Sequence, residues 1–344
     1  MGAAATLDPE KIRRIFVRST NWIGDAVMTT PSMGRVRAAF PAAEIAVAAN
    51  PTVAQLLCHH PACDRILVYD KKGVHRGLGG LLRFGAEVRK EQFDLAILFQ
   101  NAIEAAIMTS IAGIPRRAGY NTDCRGLLLT HSVSGWRRAR RFHHTDYYLT
   151  MLAGLGLQGG DGRLKLHCTE EELTWAGERL SGNRWVAINP GATYGSAKRW
   201  FPERFAAVAD DLAEEFATRI LIVGGPDERS IAGEVAANMR SEPLNLAGKT
   251  SVRQLMALLS QCRLLVTNDS GPMHVAAAFD VPIVAIFGST DHTTTSPLAS
   301  SCRIVRKPTA CAPCLKTTCP TDHRCMTAVS VADVLEPARN LLRG

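Results

Sequence analysis

Several motifs that identify common enzyme classes are missing from this sequence of 344 residues. No complete Gly-x4-Gly-Lys-Ser/Thr phosphate loop is present, and no Gly-x-Gly-x-x-Gly follows a strand pattern, so P-loop and nicotinamide or flavin chemistry are disfavoured. Neither His-Glu-x-x-His nor Gly-x-Ser-x-Gly occurs, which removes the usual signatures of zinc proteases and α/β-hydrolases. The chain also lacks a run of about 18 uncharged apolar residues, the length that spans a bilayer.

Acidic residues are in the minority, since Lys plus Arg is 40, Asp plus Glu is 32, and the net charge is +8. This excess favours an anionic partner, such as a phosphate, a nucleic acid or a membrane surface, although an ordinary solvated surface explains it equally well. Residues 1–10 have neither a basic start nor an apolar core, so we expect no signal peptide and a cytosolic protein. The ten cysteines are then expected to be thiols or metal ligands rather than disulfides.

Short apolar runs alternate with helical patterns along the whole chain, which predicts parallel sheets with helices on both faces. A polar, glycine-containing stretch near residues 157–184 separates two such series and predicts an interdomain segment. We therefore expect an N-terminal Rossmann-like domain at residues 1–165, a linker at 166–184 and a C-terminal Rossmann-like domain at 185–344, whose last helix packs back on the first domain. The predicted strands are residues 12–17, 41–49, 65–69, 93–99 and 116–120 in the first half, and 185–188, 219–223, 264–266 and 281–287 in the second.

The most informative stretch is Asn-Asp-Ser-Gly-Pro-Met-His at residues 268–274. It follows the apolar run 264–266 and precedes a good helix former, so it lies where a strand ends and a helix begins. Open α/β sheets bind ligands in that crevice, and a helix start offers free N–H groups to a phosphate. An N-capped helix with no ligand would explain Asp269 and Ser270 alone.

Four polar loops at strand ends, residues 189–200, 224–228, 267–274 and 288–295, are expected to meet at one edge of the second sheet. Lys198 can meet a phosphate as a point charge, and Asp227 or Glu228 can accept from ribose hydroxyls. The loops therefore predict a nucleotide-diphosphate site without a carboxylate pair that would clamp Mg²⁺. The polar side chains in these loops are Thr193, Ser196, Lys198, Asp227, Glu228, Asp269, Ser270, His274, Ser289 and Thr290.

In the first half, Asp25 follows the first strand and is expected either to cap a helix or to present a carboxylate to a cleft. Residues 116–144 hold seven arginines, which is typical of a solvated basic loop or of an anion-binding surface. Near the C-terminus, Cys311, Cys314, Cys319 and Cys325 stand close enough in sequence to hold zinc or an iron–sulfur cluster. Reduced loop thiols or an adventitious disulfide are the alternatives.

Three segments in this order resemble the ADP-heptose:lipopolysaccharide heptosyltransferases of glycosyltransferase family 9, and the resemblance covers nearly the whole chain. Asn-Trp-Ile-Gly-Asp at residues 21–25 favours the heptosyltransferase II type. The resemblance implies a GT-B fold, with two facing doubly wound domains and the active site between them. The segments are residues 21–31, residues 189–192 with Lys198-Arg199-Trp200 and Pro202, and residues 268–274.

The resemblance also implies an inverting, metal-independent transfer of L-glycero-D-manno-heptose from ADP-heptose, the donor substrate, to the heptosyl-Kdo-lipid A inner core of lipopolysaccharide, with no cofactor. Asp25 would be the catalytic base, and Lys198 would neutralise charge on the leaving ADP. The adenine would rest near residues 249–252, with Asp227 preferred over Glu228 at the ribose. Donor contacts would come from Thr193, Ser196, Lys198, Asp227, Glu228, Asp269, Ser270, Gly271 and His274. Acceptor contacts would come from Asn21, Arg116, Arg117, Arg137, Arg138, Arg140 and Arg141.

The resemblance implies a cytoplasmic enzyme held peripherally at the inner face of the inner membrane, where Trp136 is a candidate contact. Another GT-B enzyme, such as a different core glycosyltransferase or a nucleotide-sugar 2-epimerase, is the alternative. A protein that binds nucleic acid through the arginines and cysteines would leave the ordered strand-end motifs unexplained, so we expect no nucleic-acid partner.

Overall fold

The computed structural model describes residues 7–180, 182 and 184–344. Residues 1–6, 181 and 183, on which the signal-peptide expectation and part of the linker prediction fall, lie outside them. The chain divides into two compact units, residues 1–167 and 168–344. Among the described helices, none has the length and apolar character needed to cross a bilayer.

The first unit is a parallel sheet of six strands in the order β3-β2-β1-β4-β5-β6. Its core joins the sheet to the helices Gly77–Lys90 and Ile103–Ile111 through side chains such as Phe16, Phe84, Leu98 and Met108. The strands are β1 Arg14–Arg18, β2 Glu44–Ala49, β3 Arg65–Val68, β4 Leu95–Leu98, β5 Arg116–Tyr120 and β6 His131–Val133. The helices are α1 Ile23–Met28, α2 Thr30–Ala39, α3 Pro51–Leu57, α4 Gly77–Lys90, α5 Ile103–Ile111, α6 Trp136–Ala139 and α7 His144–Ala153.

The second unit repeats this topology, with the strand order β12-β11-β10-β7-β8-β9. Fully buried Trp200 and Phe205 anchor its core, which extends to the last helix. The strands are β7 Arg184–Asn189, β8 Thr218–Ile222, β9 Leu244–Asn245, β10 Leu264–Asn268, β11 Ile283–Ile286 and β12 Cys302–Val305. The helices are α8 Glu170–Arg179, α9 Pro202–Phe216, α10 Arg229–Asn238, α11 Val252–Ser260, α12 Gly271–Ala278, α13 His292–Thr295, α14 Arg324–Thr327 and α15 Val331–Arg343.

The segment predicted as a linker instead contains α8. Thr169 and Glu172 form a capping box at its start, so its sequence specifies a helix. Glu172 also pairs with Arg253 of α11 at 2.5 Å, which fixes α8 to the second unit. The last helix, α15, likewise packs in this unit's core, where Arg339 pairs with Glu215 of α9. These contacts of α15 are made within the second unit.

Two local predictions also need correction. Asp25 is the third residue of α1, and the N-cap of this helix is Trp22. The Asp25 carboxylate therefore does not cap the helix. Three short strands, β6, β9 and β12, were not predicted because they are two to four residues long and carry little apolar pattern. By contrast, Ser251 caps α11 as its sequence indicates, in a capping box with Gln254.

Candidate active site

Each sheet has one point at which its strand order reverses, between β1 and β4 in the first unit and between β7 and β10 in the second. The loops that leave two such strands diverge and open a crevice at the carboxyl edge, which is the usual ligand site of open α/β sheets. Asp25 follows β1, and the loops that begin at Asn189 and Asn268 follow β7 and β10. The structure therefore places Asp25 at the first crevice, and Lys198 and Asp269 at the second.

Two buried asparagines tie the second unit's loops together. The side chain of Asn268 donates to the Pro190 carbonyl at 2.7 Å and accepts from the Trp200 amide at 3.0 Å. Asn189 donates to the Ser270 hydroxyl at 2.6 Å. Buried amides are stable only when hydrogen-bonded, so these contacts fix the 189–200 loop against the start of α12.

Lys198 and Asp269 form the principal ion pair of this crevice. The Lys198 Nζ lies 2.6 Å from Asp269 Oδ2, and the Thr290 hydroxyl donates to the same oxygen at 2.6 Å. Both side chains are largely buried, and the ammonium also stands 4.9 Å from the centre of the Tyr194 ring. Asp269 was predicted to contact a donor, whereas its Oδ2 is engaged in holding Lys198. The ammonium keeps further N–H donors for an anion.

The start of α12 is suited to an anion as well. Ser270 is its N-cap, but the Ser270 hydroxyl makes no cap hydrogen bond to the helix. The amide of partly exposed Gly271 therefore remains available to an anion, whereas Pro272 has no N–H and the Met273 amide donates to the Ser270 carbonyl at 3.2 Å. His274 is buried one turn into the helix, whereas Thr193 and Ser196 are exposed on the loop that carries Lys198.

The structure separates the two acids proposed for ribose contacts. Glu228 is buried, and its carboxylate accepts from the Gly225 amide at 2.7 Å. It also packs on the backbone of Gly191, where an added Cβ would come within 2.1 Å of the carboxyl carbon. Asp227 is exposed. Glu228, rather than the preferred Asp227, is the acid at the ends of β7 and β8.

The cysteine segment, residues 311–325, supports the loop that carries Lys198, a role that the sequence did not reveal. Its backbone braces the Lys198 loop: the Thr317 carbonyl accepts from the Ala197 amide at 3.0 Å, and the Leu315 carbonyl accepts from the Tyr194 hydroxyl at 2.8 Å. The His323 Nε2 also donates to the Ala197 carbonyl at 3.0 Å. The segment thus helps to set the position of Lys198.

The four cysteines of this segment are free. Across residues 7–180, 182 and 184–344, no three or more His, Cys, Asp or Glu side chains are grouped as metal ligands would be. Hydrogen bonds from Thr321 lower the pKa of the Cys319 thiol, whereas burial raises that of Cys325. The structure therefore does not assemble the metal site considered for Cys311, Cys314, Cys319 and Cys325.

In the first unit, the carboxylate of Asp25 meets a histidine. The His144 Nδ1, at the start of α7, lies 3.3 Å from Asp25 Oδ1, and both side chains are about one-third exposed. One oxygen of Asp25 is thus held by His144, and among the described residues no hydrogen bond engages Oδ2. Sequence reasoning missed His144 because 119 residues separate it from Asp25, and only the sheet topology brings them together.

The strand-end loop before Asp25 is held by a buried arginine. The Arg18 guanidinium donates to the carbonyls of Ser19 and Ala48 at 2.8 and 3.1 Å and to the Asn21 side chain at 3.1 Å. Burial lowers the pKa of Arg18 to about 10. Asn21, predicted to contact an acceptor, therefore uses its side-chain oxygen within the loop.

The predicted acceptor arginines lie at two different edges of the sheet. Arg116 and Arg117 begin β5 and pair in register with Leu95 and Ala96, which places them at the amino edge, away from Asp25. The Arg117 guanidinium also donates to the carbonyls of Leu128 and Ile114. These two residues therefore do not join the Asp25 crevice.

The remaining four arginines, at positions 137, 138, 140 and 141, follow the carboxyl end of β6 and are exposed. Arg137 and Arg140 flank the ring of half-buried Trp136 at 5.4 and 5.8 Å. The expected membrane contact of Trp136 is therefore partly covered by guanidinium groups. A cluster of exposed arginines suits an anionic sugar or phosphate.

Known proteins resemble the chain along its whole length. Residues 81–324 match glycosyltransferase family 9 (heptosyltransferase). Lipooligosaccharide heptosyltransferase 2 of Campylobacter jejuni is 29% identical over 96% of this chain and 98% of its own length. Lipopolysaccharide heptosyltransferase 2 of Salmonella typhimurium is 29% identical over 85% of this chain and 88% of its own.

Solved structures agree with this resemblance. The Escherichia coli ADP-heptose lps heptosyltransferase II has a TM-score of 0.83 and 26% identity, covering 96% of this chain and 98% of that one. A family 9 glycosyl transferase from Veillonella parvula has a TM-score of 0.87 and 27% identity, covering 99% of both chains. The two six-stranded sheets and these similarities define a glycosyltransferase of the GT-B fold class, as the sequence predicted. Within that class, the chain belongs to glycosyltransferase family 9, the heptosyltransferases.

Proposed function

We propose that this enzyme transfers L-glycero-D-manno-heptose from ADP-heptose to the heptosyl-Kdo-lipid A inner core of lipopolysaccharide, with inversion at the anomeric carbon. The observation that carries the proposal is the buried Lys198–Asp269 pair beside the start of α12. An ammonium and a helix start can both bind the diphosphate of a nucleotide sugar. The named relatives are heptosyltransferases, which makes ADP-heptose the first donor to test.

The donor would be bound by the second unit. Lys198 and the Gly271 N–H at the start of α12 would contact the diphosphate, with Ser270 and His274 near the phosphates and sugar. Glu228 would accept from ribose hydroxyls, since its carboxylate lies at the end of β7 against Gly191. The exposed Thr193 and Ser196 hydroxyls would complete the phosphate contacts, and the adenine would rest near residues 249–252.

Asp25 would be the general base. In one displacement, the acceptor hydroxyl oxygen forms the new bond to the anomeric carbon while the bond from that carbon to the phosphate oxygen breaks. The electron pair of the broken bond leaves with ADP, and the acceptor proton moves to Asp25. His144 would hold Asp25 Oδ1 and leave Oδ2 for the proton. The exposed arginines 137, 138, 140 and 141 would bind Kdo carboxylates and core phosphates.

Positive charge on the leaving ADP would come from Lys198 and the start of α12, so the proposal includes metal-independent transfer and no cofactor. Because the proposed acceptor is lipid-linked, the enzyme would work peripherally at the inner face of the cytoplasmic membrane. Rates that are equal with and without EDTA, in protein purified without added metal, would support this part. A rate lost with EDTA and restored by a divalent ion would contradict it.

The decisive experiment is incubation of the protein with ADP-heptose and a truncated inner-core acceptor, followed by mass spectrometry. We expect the acceptor to gain the mass of one heptose and an equal amount of ADP to appear. NMR of the product should give the anomer opposite to that of the donor. Conversion of ADP-heptose to another nucleotide sugar without acceptor would favour an epimerase and refute the proposal.

A further inference from the structure

Helix α4 of the first unit carries large apolar side chains on its solvent side. Leu78 is 80% exposed and Leu82 is 56% exposed, and Val74 in the preceding turn is 64% exposed. Leu78 and Leu82 are four positions apart, so they lie next to each other on one side of the helix. The adjacent side of the helix is buried through Leu81 and Phe84. The outer leucines therefore add nothing to the described core of this unit.

Basic side chains run along the same exposed surface. Residues 71–90 contain six Lys or Arg and one acidic residue, Glu87. Arg83 and Lys90 are spaced by seven and share the side of the helix that lies roughly 100° around its axis from Leu82. Arg76 precedes the helix as its N-cap, and all three are exposed. The Arg83 guanidinium also donates to the Val74 carbonyl at 3.4 Å, which joins the turn to the helix. Glu87 is within 3.2 Å of the His75 ring, an ion pair when that ring is protonated.

The position of this surface is also informative. The turn that holds Val74 and the start of α4 follow β3, so they lie at the carboxyl edge of the first sheet. Asp25 follows β1 at the same edge. A partner bound along the beginning of α4 would therefore be on the side of the unit to which the proposed acceptor must come.

We propose that the exposed surface formed by Val74, Arg76, Leu78, Leu82 and Arg83 docks on an anionic phospholipid bilayer, with the leucines inserted and the arginines at the headgroups. Exposed apolar residues beside a basic stripe are the combination that interfacial helices use. A protein partner would need acidic groups to match the stripe, whereas an anionic leaflet offers them everywhere. The inference rests on the proposed function, because a lipid-linked acceptor is what requires a bilayer.

The test is co-sedimentation of the full chain with phosphatidylcholine vesicles, with or without phosphatidylglycerol. We expect binding only to the anionic vesicles, weakened by salt. The double variant Leu78→Ser/Leu82→Ser should reduce the bound fraction about tenfold, because it removes the apolar contacts. Leu78→Ala/Leu82→Ala, which keeps a strong helix former at both sites, should do the same. Leu173→Ser, at an exposed leucine of α8, is the matched control and should bind as the native chain does.

Activity separates this inference from the proposed function. The double variants should transfer heptose to a water-soluble truncated acceptor at the native rate and to vesicle-embedded acceptor more slowly. Unchanged vesicle binding in both double variants would overturn the docking surface, as would equal binding to uncharged vesicles. If sedimentation velocity shows that the native chain is a dimer and that the double variants are monomers, this surface binds a second copy of the chain rather than a bilayer. If the native chain modifies neither acceptor, the proposed function is refuted. The vesicle co-sedimentation result would still show whether this surface binds an anionic bilayer.

Discussion

Asp25 and His144 are the pair of residues on which the proposed proton transfer depends. We expect Asp25→Asn to lower kcat by about 10²–10⁴-fold, the usual contribution of a general base, because an amide cannot take the acceptor proton. Binding of ADP, measured by calorimetry, should remain close to native. A variant that keeps the native kcat would remove Asp25 from the mechanism.

His144 is expected to act through Asp25 by orienting its carboxylate. His144→Ala should lower kcat by about tenfold to a hundredfold with little change in KM, since a misplaced group costs rate rather than binding. His144→Asn, whose amide can donate from a similar position, should recover part of that loss. If His144→Ala, His144→Asn and Asp25→Asn all lower kcat by the same factor, the His144 imidazole rather than Asp25 would be the group that accepts the proton.

His143 provides the contrast for this experiment. Its Nδ1 accepts from the Thr145 amide at 3.2 Å and caps α7. His143→Ala should therefore lower the melting temperature while leaving kcat nearly unchanged. Parallel effects of the two histidine variants on kcat would mean that α7, rather than the His144 side chain, governs the rate.

The two neighbouring acids of the second unit give a further test. Glu228→Gln should raise KM for ADP-heptose several-fold, because a buried amide accepts a ribose hydrogen bond less strongly than a carboxylate does. Asp227→Asn should leave KM unchanged, since Glu228, and not the exposed Asp227, packs against Gly191 at the end of β7. Steady-state kinetics at saturating acceptor distinguishes them. A rise in KM with Asp227→Asn alone would show that Asp227, the residue preferred from the sequence, binds the ribose.

At this scale, the sequence identified residues whose position follows directly from a strand end, such as Asp25, Lys198 and Asp269. It could not distinguish Asp227 from Glu228, because a shift of one residue in a turn decides which carboxylate is buried. Arg116 and Arg117 were grouped with the later arginines by proximity in sequence. Arg116 and Arg117 begin β5, whereas the later arginines follow the end of β6, so the two groups lie at opposite edges of the sheet.

Among the elements, the cysteine segment and the Lys198 loop depend on close backbone contact. A Cβ at Gly195 would lie 2.1 Å from the Thr317 carbonyl oxygen, so Gly195→Ala should push the two segments apart. We expect a several-fold higher KM for ADP-heptose and a lower melting temperature. Gly233→Ala, in α10 where nothing lies within 4 Å of an added Cβ, should be neutral or stabilise by about 0.5–1 kcal/mol. Equal behaviour of the two variants would show that the bracing has no effect on the donor.

The cap of α15 should respond to pH. Lys307, at 2.6 Å, and Ser330 lower the pKa of Asp333 from 3.8 to about 2. A lowered pKa adds stability above the unfolded value, and this gain is lost as pH falls through about 2. Asp333→Asn should therefore cost roughly 1 kcal/mol near neutral pH, as cap losses do.

Denaturant unfolding at several pH values checks this expectation. The stability difference between native and Asp333→Asn protein should shrink as pH falls from 3.8 toward about 2. Asp161→Asn is the control, because the Asp161–Lys165 pair is half exposed and such pairs contribute little. A difference that stays constant down to the lowest pH would assign the effect to packing rather than to charge.

Elements with a strong apolar pattern were predictable from sequence. The prediction for residues 116–120 matches β5, and the predicted 264–266 run lies within β10. Helix α8 was missed because its sequence is polar on most sides, so only its capping box marks it. The segment that braces Lys198 could not be predicted, since each of its hydrogen bonds to the loop has a backbone carbonyl as acceptor, and carbonyls leave no residue pattern.

For the whole molecule, the proposed function divides donor binding and proton removal between the two compact units. Hydrogen–deuterium exchange with ADP tests this division. We expect the strongest slowing in residues 189–200, 224–228 and 268–274, because a ligand bound at those loops lowers their local opening. Strongest protection in the loop around Asp25 instead would contradict the assignment of ADP to the second unit.

The identical strand order of the two sheets has a consequence for how the specificity of such an enzyme can evolve. Since each unit has its own core and its own crevice, a change in one crevice need not disturb the other. A chimaera that joins residues 1–167 of this chain to the corresponding second half of a relative should keep this chain's choice of acceptor and adopt the relative's choice of nucleotide sugar. Within such a fold, new specificities can arise by exchanging halves rather than by rebuilding a single pocket.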